Sequence, residues 1–410
     1  MTTTTYPLSR IVAQVLVPFA AGYLMTWLLR SVNAVVAPDL VRDLGLSASG
    51  LGLLTSAYFI TYAAMQLPVG LLLDRFGPRK TQSGLFVLGA LGSFGFAVAQ
   101  DMATLTLSRA LIGLGFAGGL MAGFKTVALW LPRDKVPMGN GCYMAIGGLG
   151  ALLAATPTAL LVQAIGWRPT FALLGALVLA VAASIYFIVP ERGGGGRIEP
   201  FPEQLRGLGR VFRDRLFWRV VPVTSTTNAV ALAVQTLWLG PWLVDVGGLS
   251  RDGAADYLMA VSLAFGIGVA GVGTVTSWLR RRGIDVLQVM AVAIPPFLLV
   301  QALMVAGIGA DSLLLVIAYG MAGQVATVSH AKFAEHFGVA TAGRASTASN
   351  FVAFVFAFAA QYAIGGVIDL WPPGPNGGYH PDGYRAAFAG ALAIQIATYV
   401  WYLIFREKER

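Results

Sequence analysis

Stretches of about twenty uncharged residues alternate along the 410-residue chain with short clusters of charge and glycine. A hydrocarbon core takes roughly 20 apolar residues per helix. On that measure the pattern predicts spans at about 12–37, 50–73, 82–100, 103–130, 139–164, 170–190, 219–245, 254–279, 286–308, 312–333, 344–370 and 385–405. The first continues past the small residues at 19–22 to Val36, which argues for a retained helix rather than a cleaved leader. One long connection, 191–219, opens on a glycine run and separates six spans from six. Leu205, Leu208, Val211 and Phe212 lie among its arginines, so this segment reads either as an amphipathic surface helix or as a polar linker.

The halves also repeat. At an offset of 203, Pro38-Asp39-Leu40-Val41 falls on Pro241-Trp242-Leu243-Val244, Leu46-Ser47 on Leu249-Ser250, Gly70 on Gly273 and Arg79 on Arg282. The expected architecture is an all-α membrane protein of 12 transmembrane helices, built as two six-helix bundles related by pseudo-twofold symmetry. Its expected parts are 1–190, a cytoplasmic linker at 191–218, and 219–410. Parallel repeats of this kind place a binding site at the midplane between the halves.

Composition agrees. Only 11% of residues are charged and 57% are hydrophobic, with mean hydropathy +0.72, whereas soluble domains carry about 25% charged residues. The net charge of +9 is a matter of topology. Of 28 lysines and arginines, 21 fall in one set of alternating loops, four in the other and three inside spans. The 19 acidic residues divide 10 to 9. Cation asymmetry without acidic asymmetry marks the cytoplasmic side, so both termini are expected there, and no basic stripe points to nucleic acid. The single cysteine, Cys142, reads as a small packed helix residue. No span offers a nucleophile–base pair or a metal cluster, so neither an intramembrane enzyme nor a cofactor is expected.

Residues 70–80 read GLLLDRFGPRK. Gly70 would let two helices approach closely, Gly77 would allow the turn, and Asp74 could accept from an arginine or sit at a helix N-terminus. Gly70-x-x-x-Asp74-Arg75-x-Gly77-x-Arg79-Lys80 resembles the loop signature of the major facilitator superfamily, Leu107-Ser108-Arg109-x-x-x-Gly113-x-Gly115 resembles its fourth-span motif, and Gly166-Trp167-Arg168 is also familiar there. The resemblance covers the whole chain. It implies an alternating-access carrier, monomeric, in which Gly70, Asp74, Arg75, Gly77 and Arg79 gate by latching the cytoplasmic ends of the halves. The second half keeps the motif only in part, with Ser277 where Asp74 would stand, followed by Arg280, Arg281 and Arg282.

Three cations lie where charge is costly: Arg30, Arg109 and Lys125. A cation at the bilayer centre costs about 2.5–3.5 kcal/mol on insertion scales and marks a candidate site. Arg30 and Arg109 fall at matching depth, and the resemblance puts their spans along a central cavity. Tyr23, Trp27, Arg30 and Asn33 share a helix face, and Trp27 could stack on the guanidinium. Lys125 could join them or reach back to the cytoplasm. Thr224, Asn228, Gln235 and Trp242 share a seventh-span face with Trp238 nearby, while Gln324 and Asn350 add amides. No Asp or Glu lies deep in any span, so the buried cations lack a counterion that a negative cargo would supply.

The expectation is a secondary transporter of a small organic anion, a carboxylate for preference, in the inner (plasma) membrane. Substrate-borne protons, anion exchange and sodium all stay open as coupling. A proton-coupled exporter of drugs or metabolites is the alternative, although the fifth span, GNGCYMAIGGLGALLAATP, lacks the adjacent Gly-Pro of many such carriers. A nitrate porter is disfavoured by the faintness of Gly139-Asn140-Gly141 against that family's glycine signature. A ligand sensor of the same fold is the third reading.

Overall fold

The computed structural model describes residues 7–132, 134–192, 201–374 and 378–405, without the side chains of 67, 137, 201–205, 334 and 338–342. The glycine run at 193–196, the side chain of Leu205 and the basic tail after 405 lie outside the described residues. Every regular element among them is helical. In order these are α1 (Leu8–Ile11), a π turn, α2 (Val17–Ser31), α3 (Asn33–Leu44), α4 (Ala48–Val98), α5 (Met102–Phe116), α6 (Gly119–Trp130), α7 (Val136–Leu153), α8 (Thr156–Ile165) and α9 (Trp167–Ile188). The second half holds α10 (Phe201–Phe212), α11 (Arg215–Ala233), a π turn at Val234–Trp238, α12 (Leu239–Asp245), α13 (Arg251–Arg281), α14 (Val286–Ala306), α15 (Leu313–Ala322), α16 (Ser329–Ile368) and α17 (Pro381–Ile404).

Ten helical stretches among the described residues are long and apolar enough to cross a membrane. The pair Met138–Leu153 and Thr156–Ile165, bent by 41°, makes an eleventh when taken as one. The expected span at 50–73 is helical, as the first part of α4, but more polar than the rest. Its Thr55, Ser56, Tyr58, Tyr62 and Gln66 are buried, so its polarity faces protein rather than lipid. Outward faces elsewhere carry Val98, Phe187, Val292, Leu314 and Ile404, each 74–78% exposed, as a bilayer-facing surface should. Cys142 is exposed on α7, which corrects its reading as a packed residue.

Two glycines of the 70–80 stretch behave differently. Gly77 adopts φ 75°, ψ 168° and breaks α4 just before Pro78, so the turn is a left-handed glycine followed by a helix-initiating proline. A Cβ built at Gly70 meets nothing within 4 Å, so the close approach expected there is not made. Close approach occurs instead at Gly52, where a Cβ would lie 2.7 Å from the Gln361 carbonyl oxygen, and at Gly365, where it would lie 2.3 Å from that of Ala48. These two contacts bring α4 of the first half against α16 of the second. The segment after the glycine run is helical, with Leu208 and Val211 buried.

Gly77→Ala should destabilise the protein by about 1–3 kcal/mol, the cost of holding a residue with Cβ in a positive-φ extended conformation that is essentially reserved for glycine. A lowered melting temperature in detergent, with helicity at 20 °C unchanged, would show it.

Candidate functional site

The first membrane helix is interrupted where its polar residues cluster. Val32 N–H bonds to the Leu28 carbonyl at 2.9 Å and Val36 N–H to the Val32 carbonyl at 3.2 Å, both in helical register, whereas Val35 N–H turns three residues back to Val32 at 3.0 Å. The Leu29 carbonyl, whose helical partner would be the Asn33 amide just past the break, accepts from Arg109 Nη1 at 2.9 Å. A lipid-depth interruption survives only where the freed group finds a partner inside the protein. Arg109 is that partner. It is 0% exposed, its Nε and Nη2 are buried without an acceptor, and it sits 5.8 Å from the ring centroids of Tyr58 and Phe96. In this structure the guanidinium is packed behind Tyr58 and braces the helix that carries Arg30, rather than standing beside Arg30 as expected.

Arg30 lies on the other side of that ring. Its guanidinium carbon stands 4.7 Å from the Trp27 centroid, 5.7 Å from Tyr58, 4.8 Å from Tyr62 and 5.5 Å from Phe354. Three of these rings come from the first half and one from α16, so the cation sits where the halves meet. Each such contact is worth about 0.5–2 kcal/mol, but a ring face does not satisfy five N–H donors. The one polar partner among the described residues is Tyr58, whose hydroxyl accepts from Arg30 Nε at a long 3.4 Å. The terminal nitrogens have no protein acceptor, yet they are not among the sealed, unpaired atoms. They keep some accessible surface, as Nε and Nη2 of Arg109 do not.

Neighbouring side chains complete the wall. Tyr23 stacks on Tyr143 with centroids 4.8 Å apart, and Trp27 meets Phe265 of α13 edge-on at 5.0 Å. Asn33 donates to the Thr55 hydroxyl at 2.8 Å, leaving its own amide oxygen buried and unpaired. Asn228, Gln235, Gln324 and Asn350 have no side-chain hydrogen bond among the described residues and none is sealed, so their amides are available. Asn350 is one helical turn before Phe354 and shares its face. Trp238 departs from expectation: it is fully buried, donates to the Gln361 carbonyl at 3.3 Å and packs on Tyr379, away from any space.

Lys125 also leaves the group. Its ammonium lies 2.6 Å from Asp74 Oδ1 and 2.8 Å from the Leu73 carbonyl oxygen, at the basic loop face. The flexible stem carries the charge toward that face. Asp74 therefore finds a lysine of its own half rather than an arginine or a helix N-terminus. Arg75 lies over Phe76 at 5.1 Å, while Arg79 donates to the Tyr186 carbonyl at 2.8 Å and, with Lys80, meets Glu191. The Lys80 ammonium holds the Glu191 carboxyl below its ordinary value. Every hydrogen bond, ion pair and cation–ring contact of this turn given above stays within the first half.

The opposite face is sewn across the halves. Asp39, 4% exposed, takes both terminal nitrogens of Arg251 from α13, and Arg42 lies 3.1 Å from the same carboxylate. Asp369 accepts from the Ala48 and Ser49 amides at 2.9 and 2.8 Å, so a carboxylate of the second half occupies the N-terminus of α4. Thr156 donates to Asp256 at 2.9 Å and Gln163 to Asp252 at 2.5 Å. Sequence reading pointed to the basic turn for gating and missed these contacts, whose partners are separated by up to 321 residues.

The family model described as Major Facilitator Superfamily matches residues 19–361. With the helical architecture and the basic turn in place, the chain belongs to that superfamily. It is 32% identical over 149 residues to a probable sulfoacetate transporter of Cupriavidus necator, covering 36% of this chain and 35% of the relative. It is 28% identical over 295 residues to a probable L-galactonate transporter of Escherichia coli, covering 66% and 62%. The chain thus matches between about a third and under two thirds of the length of these relatives. In fold it is similar to a bacterial homolog of the human lysosomal transporter Spinster in an inward-facing, unoccupied conformation, with TM-score 0.72, 18% identity and 98% and 97% of the two chains covered. It is a multi-pass membrane protein.

Removing one partner of the Asp39–Arg251 pair by Arg251→Gln should cost about 1–3 kcal/mol, less than for a fully buried pair because the arginine is 35% exposed. Asp39→Arg alone should cost more, and Asp39→Arg with Arg251→Asp should recover most of the loss, as read by thermal denaturation.

Proposed function

We propose that the protein is a secondary transporter that carries a small organic anion, in the first instance a carboxylate, through the membrane by alternating access. The observation that carries this reading is Arg30: a guanidinium at the meeting of the halves, 6% exposed, with open terminal nitrogens and no carboxylate partner among the described residues. Leaving such a charge unpaired in low dielectric is expensive, and an anion supplies both the charge and the acceptors. Arg109 adds positive potential from behind the Tyr58 ring without contact. The relatives named above are described as carriers of sulfoacetate and L-galactonate, both anions.

In this reading residues 1–190 and 219–410 form two six-helix bundles that rock about the site. The basic turn faces the cytoplasm with both termini, on the 21-to-4 division of cations. The bacterial relatives support an inner-membrane location. The contacts of Asp39 and Asp369 then close the outer face, and the turn at 74–80, engaged only within its own half, is the released cytoplasmic latch. Asp39 and Asp245 lie toward the span ends rather than at mid-span, and substrate-borne protons, anion exchange and sodium all stay open as coupling.

Uptake of a panel of labelled carboxylates by proteoliposomes tests the proposal. Arg30→Gln should reduce transport of the accepted anion by about 100-fold, the loss expected for a charge-assisted bidentate contact. Arg30→Lys should retain a small part of it, and Lys125→Gln should leave KM within about threefold. Unchanged uptake in Arg30→Gln would refute the anion assignment.

A further inference from the structure

Next to Ser31, three irregular helix stretches meet around a residual cavity of about 10 Å³. The α2–α3 interruption contributes Ser31, the bend between α7 and α8 contributes Ala154 and Ala155, and the π turn contributes Gln235. Ser262 of α13 completes the polar part of the wall, with Ala34, Val35, Ala151 and Leu258 around it. The cavity therefore lies between the two halves of the chain and has room for about one water or one hydroxyl group.

Its three polar groups are neutral and underused. Ser31 is 9% exposed and its hydroxyl oxygen is buried with no hydrogen-bond partner. Gln235 has no side-chain partner among the described residues, and its amide is not sealed. Ser262 donates to the Leu258 carbonyl at 2.8 Å, which leaves its lone pairs free to accept. A buried hydroxyl without a partner costs free energy comparable to a lost hydrogen bond. Here it stands one residue from the only membrane-depth cation with open nitrogens among the described residues.

We propose that Ser31, Gln235 and Ser262 form a neutral subsite that receives a hydroxyl of the cargo, so that the carrier selects a hydroxylated carboxylate over its deoxy counterpart. The inference rests on the reading of Arg30 as the carboxylate anchor. The chemistry is complementary: Gln235 donates through its NH₂ and accepts through its oxygen, Ser262 accepts, and Ser31 does either. A ligand hydroxyl can satisfy this set, whereas a methylene would leave it unpaired. Sites built to hydrogen-bond a hydroxyl discriminate strongly against the analogue that lacks it. Because the subsite draws on α2 and α7–α8 from one half and on the π turn and α13 from the other, a bound hydroxyl also bridges the two halves.

The test uses purified full-length protein with two matched pairs, lactate against propionate and gluconate against hexanoate, read by competition with labelled uptake and by thermal shift. Wild type should prefer the hydroxylated member of at least one pair by about tenfold, the factor expected for one buried hydrogen bond. Ser31→Ala and Gln235→Leu should each cut that preference at least fivefold by weakening the hydroxylated member alone, with the melting temperature of the empty protein unchanged or raised. Ser31→Thr, which retains the hydroxyl, should keep most of it. Arg30→Gln should weaken both members alike. No preference in wild type, or equal weakening of both members by Ser31→Ala and Gln235→Leu, overturns the subsite. An Arg30→Gln variant that binds every probe as well as wild type overturns the anchor instead.

Discussion

A single hydrogen bond organises the middle of this molecule: the 2.9 Å contact from Arg109 Nη1 to the Leu29 carbonyl oxygen. A backbone carbonyl freed inside a bilayer needs an internal donor, and the fourth-span arginine reaches across to provide one. The brace lies at the interruption of the first helix, one residue from Arg30 and two from Ser31. The two arginines divide the labour that a single buried cation could not perform. One is spent on the backbone and sealed, and the other is kept open.

The setting of Arg30 also shows how a cation is kept at depth without a carboxylate. Four ring faces offset part of its desolvation, but they leave its terminal hydrogen-bond donors unanswered. An acidic residue in the same place would pair with the cation in every state and compete with cargo. Aromatic walls stabilise the charge while leaving it available. Phe354, from the second half, makes this arrangement sensitive to how the halves sit relative to each other.

Much of this was legible in the sequence, for reasons that differ by residue. Hydrophobic run lengths located the helices, and Gly77 followed by proline located the sharpest turn. Helical spacing put Trp27 beside Arg30, because residues three apart on one helix must be neighbours. Contacts across elements were not legible. Nothing in local pattern tells that Lys125 reaches Asp74, 51 residues away, or that Arg251 reaches Asp39, 212 residues away. Tyr58 and Tyr62 carried a usable signal, two tyrosines at i, i+4 in an unusually hydroxyl-rich span, which composition averaged away. Gly70 misled because a motif glycine was assigned to packing when the structure leaves space around it.

One fastening between the halves has a consequence for how the protein can change. Asp369 holds main-chain amides, not side chains, at Ala48 and Ser49. Amides are present whatever residues occupy those positions, proline excepted. Substitutions at 48 and 49 that keep the backbone in place, proline excluded, therefore leave both donors present, whereas a change at 369 removes the acceptor. A change in this join passes most directly through position 369, while the Asp39–Arg251 pair can be adjusted from either end.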